Sequence, residues 1–126
     1  MDLYSEEIVD NYLHPRKRGR LDKPNASARM SNPSCGDVVE IGMRIERGRI
    51  KLARFNGTGC AISTAASSML MERIEGKTEK EVLRMGKKEM RKLLGIEISP
   101  VREHCALLPL QAAQRAIIER RNKRKR

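Results

Sequence analysis

The chain has 126 residues, a formal net charge of +11 and 39% hydrophobic residues, with seven Met, two Tyr, one Phe and no Trp. That length bounds it to one domain, burying roughly two thirds of the surface its unfolded chain exposes, around an aliphatic and thioether-rich core. No apolar run approaches the ~20 residues of a membrane span, and no basic leader precedes an apolar stretch, so a cytoplasmic protein without membrane contact is expected.

In chain order, Tyr4, Ile8, Val9 and Tyr12 recur at helical spacing, and Pro15 should end that helix because the residue before a proline is pushed out of helical geometry. Residues 15 to 36 are rich in Arg, Gly, Pro, Asn and Ser. They read as loop, with a short edge strand around Ala28 to Ser31. "VVEIGMRIE" alternates, with Val39, Ile41, Met43 and Ile45 on one face, as in a half-buried strand. Gly48 suits a hairpin turn, and "IKLARF", residues 50 to 55, returns with a break in alternation at Ala53 that marks a bulge. After "NGTGC", residues 56 to 60, a helix carries Ile62, Ala65, Ala66, Met69, Leu70 and Ile74 on one stripe and closes at Gly76. Small residues fill its first half, so another element must approach closely. Thr78 and Glu81 form a capping box for a short helix stopped by Gly86. Lys87 to Leu94 form another helix, with Gly95 past its end. Ser99-Pro100 opens the last helix, which should run to about Arg120. A kink is expected at Pro109, whose missing N–H would have bonded the Cys105 carbonyl.

The basic charge is concentrated in "RKRGR", residues 16 to 20, and in the end "RRNKRKR", residues 120 to 126, which holds six basic residues and no acid. Basic tails bind phosphate backbones. Here no aromatic residues interleave with the charge and no recognition motif is present. A nucleic-acid-binding module is therefore the weakest reading. The domain division expected is 1–119 as the working domain and 120–126 as a disordered basic tail.

Three cysteines is an odd number. In a reducing compartment this argues against a disulfide framework and for metal binding or reactive thiols. Cys35 lies in a Pro/Ser/Gly turn, two residues before Asp37. Cys60 follows two glycines and opens a helix. Cys105 lies in the early turns of the last helix, directly after His104. These are not adjacent zinc-ribbon pairs, so the ligands must converge through the tertiary fold. A helix start favours thiolate, the form that binds metal or attacks sulfur. Gly57 and Gly59 would let backbone amides approach a bulky anionic ligand.

"SCGDVVEIGMRI", "GCAISTAASSMLMERIEGKT" and "PVREHCALLP" resemble the three signature stretches of the IscU-type iron–sulfur cluster scaffolds, the family that includes the N-terminal module of NifU. The resemblance extends from Tyr4 to about Arg120. The zinc-associated SufU relatives carry an insertion before the third cysteine for which this chain has no room. The resemblance implies an α+β fold of the SufE/NifU-like kind, with a small antiparallel three-stranded sheet and four to six helices packed against it. It implies a site of Cys35, Asp37, Cys60, His104 and Cys105, with Cys105, Cys60 and Cys35 as sulfur acceptors, Cys105 first among them.

The implied function is that of a scaffold and not an enzyme. A cysteine desulfurase would deliver sulfur as a persulfide, ferrous iron would enter, and a transient 2Fe–2S cluster would be assembled and handed to apo-proteins or carriers. Zinc would be an occupant of the cluster-free site. Members served by a dedicated chaperone carry Leu-Pro-Pro-Val-Lys before the His-Cys pair. Here the stretch is "ISPVR", residues 98 to 102, so chaperone recognition does not follow. A homodimer is left open.

Stable electron-transfer clusters take four thiolates. One copy of this chain offers three, and a carboxylate is a harder ligand than a thiolate. Asp37 would hold a cluster weakly, as a scaffold requires. His104 could ligate or donate a hydrogen bond to a cluster sulfur. The alternative is a zinc-bound sulfurtransferase, with Cys35, Asp37, Cys60 and Cys105 closing a tetrahedral site.

Overall fold

A computed structural model describes residues 5–33, 36–95, 97 and 99–124. The elements are α1 (Glu6–Leu13), β1 (Ala26–Asn32), β2 (Asp37–Glu46), β3 (Arg49–Thr58), α2 (Ala61–Ile74), α3 (Glu79–Arg84), α4 (Lys87–Leu94) and α5 (Pro100–Arg124). The three strands form one antiparallel sheet in the order β1-β2-β3, and with five helices this is the expected α+β architecture. No helix among the described residues is long and apolar enough to cross a membrane.

Strand β2 organises the core. Its alternate residues Asp37, Val39, Ile41, Met43 and Ile45 are buried. The period of two therefore places the Asp37 carboxylate in phase with the apolar set, at the end of the covered face. Helix α5 packs on β1 and β2, α2 packs on β3 and α5, and α1 lies against α2. Met43, Met71 and Met90 are fully enclosed, and among the described residues Phe55 is the one aromatic in the core. The bulge falls beside Lys51, where the register steps from Arg44 opposite Leu52 to Ile45 opposite Ile50. Ala53 itself is buried on the regular face of β3, which moves the bulge from its expected place. Ile50 and Ala53 both point inward with two exposed residues between them, and the pleat can accommodate that only by adding a residue.

Helix α2 is enclosed on most sides, with Ser63, Ser67 and Ser68 buried alongside its apolar residues. Its small side chains admit α1: Ser68 Oγ donates to Asn11 Oδ1 at 2.6 Å and accepts from the Arg16 N–H at 2.7 Å. The capping box of α3 is present as expected, with Thr78 and Glu81 satisfying one another's backbone N–H groups. Gly95 ends α4 in the left-handed conformation.

Helix α5 continues uninterrupted across Pro109, so the proline does not break the helix. Pro109 is buried between Leu108 and Leu110, which also face the core, so packing holds the helix where one hydrogen bond is missing. The helix also continues to Arg124, past the expected end near Arg120. Glu79, 7% exposed at its side chain, pairs with Arg120 at 3.0 Å and Arg121 at 3.5 Å. A largely buried carboxylate needs such partners, and they draw the first part of the basic segment onto α3.

A second acid, Glu75, follows α2. Burial alone would raise its pKa. Lys17 at 2.8 Å, the Ala53 N–H at 2.9 Å and Arg54 at 2.9 Å outweigh that and hold it below 4.5. The folded state therefore releases this proton more readily than the unfolded chain. Its contribution is complete above pH 4.5 and is lost as the pH falls through the lowered folded value. We expect Glu75→Gln to cost about 1.5–3 kcal/mol at neutral pH. In thermal melts the difference from the native chain should shrink below pH 4.5; an unchanged difference in acid would contradict this linkage.

Candidate metal centre

The site forms where β2 begins, β3 ends and α2 starts. Cys60 is the N-cap of α2, extended at φ −72° and ψ 175°, and its Sγ accepts the Ser63 N–H at 3.4 Å. Asp37 opens β2. Its Oδ1 accepts the Cys60 N–H at 3.1 Å, and its Oδ2 lies 3.7 Å from Cys60 Sγ, which donates to it as a thiol. One carboxylate thus fixes the helix start and touches the thiol. Cys105 reaches the same place from the first turns of α5. The ligand atoms of Asp37, Cys60 and Cys105 all lie within 4.8 Å of one another. Asp37 and Cys105 are each 2% exposed, while Cys60 is half-buried. Ligand atoms around a tetrahedral zinc with sulfur bonds of about 2.3 Å stand roughly 3.8 Å apart, so a contraction of about 1 Å would suffice to close these three on a metal.

The two remaining expected site residues, Cys35 and His104, are not placed in this group. Cys35 lies outside the described residues. His104 is exposed and is not part of the three-residue group. It lines a separate cavity of about 240 Å³ with Met30, Ser31, Asn32, Pro33, Leu108 and Gln111. His104, Leu108 and Gln111 recur at helical spacing along one side of α5, whereas Cys105 turns toward the core.

The two glycines before Cys60 serve closer neighbours than a bulky ligand. At Gly57, φ is +135° and an added Cβ would stand 2.0 Å from the Val38 carbonyl oxygen of the paired strand. At Gly59 an added Cβ would meet Ser63 Oγ at 2.8 Å and Asp37 Oδ1 at 3.2 Å. Gly57 therefore lets β3 close on β2, and Gly59 lets the carboxylate reach the helix start. Gly57→Ala combines a steric clash with an unfavourable backbone conformation and should cost about 2–4 kcal/mol. Chemical denaturation would check this, and a loss below about 0.5 kcal/mol would refute it. Sequence reading missed Ser63, whose N–H supports the Cys60 sulfur. Its only signal is its place three residues after an N-cap.

The family model for the NifU-like N-terminal domain matches residues 3–126. The iron–sulfur cluster assembly scaffold protein IscU of Escherichia coli is 33% identical over 125 residues, covering 96% of each chain. The scaffold protein IscU 1 of Archaeoglobus fulgidus is 32% identical over 117 residues, 93% of this chain and 76% of its own length. Among solved structures, FiSufU from Fervidobacterium islandicum, described as a scaffold protein for the SUF system, superposes with a TM-score of 0.79 at 28% identity over 90% of this chain and 96% of its own. A NifU-like N-terminal structure from Brucella abortus, at 21% identity and covering 94% of each chain, also gives a TM-score of 0.79 and supports the fold alone.

Proposed function

Because the chain belongs to the NifU-like N-terminal domain family, we propose that it is an iron–sulfur cluster assembly scaffold, as its IscU relatives are named. The observation that carries this reading is the convergence of Asp37, Cys60 and Cys105 from three separate elements onto one point. Cys35, two residues before Asp37, supplies the third thiolate on this reading, and His104 stands by as an alternative ligand or hydrogen-bond donor. We take residues 1–119 as the scaffold domain; of the basic end expected to be a disordered tail, residues up to Arg124 continue α5, and Arg120 and Arg121 tie that helix to Glu79.

The chemistry follows from the donor set. A persulfide donor, which we take to be a cysteine desulfurase, presents an outer sulfur. A scaffold thiolate, Cys105 first, attacks it; the donor's S–S bond breaks and the electron pair leaves with the donor thiolate. That sulfur arrives two electrons above sulfide; for each one built into the cluster, ferrous iron supplies one electron on becoming ferric and an external electron-transfer protein supplies the other. Metal ligation requires the thiols to give up their protons, and Asp37, already touching Cys60 Sγ, is placed to take one. With three thiolates and one carboxylate, the 2Fe–2S product is held less firmly than by four thiolates and passes to apo-proteins or carriers. The protein is therefore not an enzyme on this reading, and its reducing chemistry suits the cytoplasm.

Anaerobic purification with assay of iron, acid-labile sulfide and zinc tests this. Red-brown protein with near-equal iron and sulfide supports the scaffold. Colourless protein that binds one zinc and cannot be reconstituted with iron and sulfide would overturn it.

A further inference from the structure

The outer face of the sheet carries a second feature, whose described lining holds no cysteine. Residues 19 to 25 form a strap that crosses this face from β3 to β1. One end is pinned where the Gly19 N–H donates to the Phe55 carbonyl at 2.8 Å and the Phe55 N–H to the Lys17 carbonyl at 3.0 Å. The other end is pinned where Asn25 donates from its backbone to Met43 at 3.0 Å and exchanges two side-chain bonds with the Ile45 backbone, each 2.8 Å. Beneath the strap lies a cavity of about 390 Å³, whose charged wall is Arg20, Arg29, Arg54 and Glu40. With both ends held, the cavity is formed in advance of any occupant.

Three details point to a ligand. The exposed Arg29 side chain has no hydrogen bond or ion pair among the described residues, although Arg29 lies directly opposite Glu40 in the β1–β2 register. Arg20 reaches Glu40 only at 3.9 Å with its side chain 80% exposed. The floor is Gly42, whose backbone does not require glycine: its φ is not positive, and an added Cβ would make ordinary contacts of 3.6 Å to Pro24 and 3.8 Å to Leu21. Glycine in a strand interior weakens the strand and often marks a close approach. Here its effect is to keep the floor open.

We propose that this cavity binds a small dicarboxylate that also carries an ammonium or hydroxyl group. Guanidinium forks suit carboxylates, and Arg20 and Arg29 are available for them. Glu40 repels a purely anionic ligand and accepts a hydrogen bond from a donor group beside the carboxylates, so the wall selects for both. The volume falls in the range of small-ligand sites.

Calorimetric titration of the full chain with glutamate, glutarate and a peptide of four glutamates tests this. We expect saturable glutamate binding at least tenfold tighter than glutarate, weakened at least tenfold in Arg29→Gln and lost in Ser27→Phe, which fills the cavity from the exposed edge strand. Circular dichroism and cluster loading of both variants should match the native chain. The proposal is overturned if glutamate shows no saturable binding, if glutarate binds equally well, if binding survives both substitutions, or if only the peptide binds.

Discussion

Cys60→Ser is expected to give a folded protein that holds no stable cluster. The substitution separates ligation from folding because serine is itself a preferred N-cap. A hydroxyl at residue 60 can still accept the Ser63 N–H that now meets the sulfur at 3.4 Å, and it can still donate to Asp37. Helix α2 therefore keeps its start, and thermal stability should stay within about 1 kcal/mol of the native value. What is lost is a thiolate at a position where only three are available. A neutral hydroxyl is a far poorer partner for iron than a thiolate. After anaerobic reconstitution the charge-transfer absorption should fall at least about tenfold. A normal spectrum from this variant would remove Cys60 from the ligand set.

Asp37→Ala should act in the opposite sense on the cluster and lower the stability of the fold. The carboxylate accepts the Cys60 N–H at 3.1 Å inside a nearly closed site. Removing it leaves that donor without its acceptor and should cost about 1–2 kcal/mol. The cluster, once formed, loses its hardest ligand and the position at which exchange is easiest. Its transfer to an apo-acceptor should slow by roughly tenfold or more. The two effects are read separately, by thermal melting and by transfer kinetics. Faster cluster loss than in the native chain would show that Asp37 strengthens the hold on the cluster.

Much of this arrangement is written locally. The glycines before Cys60 and the helical stripe after it place that thiol at a helix start, and Asp37 is in phase with Val39, Ile41 and Met43 along β2. Thr78 and Glu81 announce their helix in the same local way. The parts that were not legible depend on distant partners. Strand β1 begins at Ala26 because β2 offers it a full ladder, which a polar, loop-like composition conceals. Strand β3 continues to Thr58 because Gly57 can meet Val38 across the sheet. Helix α5 outruns its expected end because Glu79, more than forty residues earlier in the chain, waits for Arg120. His104 and Cys105 are neighbours in sequence, yet a helix turns consecutive residues about 100° apart. One faces a cavity beside β1, and the other joins the metal group.

The central claim is that Asp37, Cys60 and Cys105 act as one centre that holds iron and sulfide. Anomalous diffraction at the iron edge, on crystals of the anaerobically reconstituted protein, tests it most directly. The account predicts iron peaks between these three side chains, within bonding distance of the Cys60 and Cys105 sulfurs. Iron bound elsewhere, with this group left unligated, would contradict it.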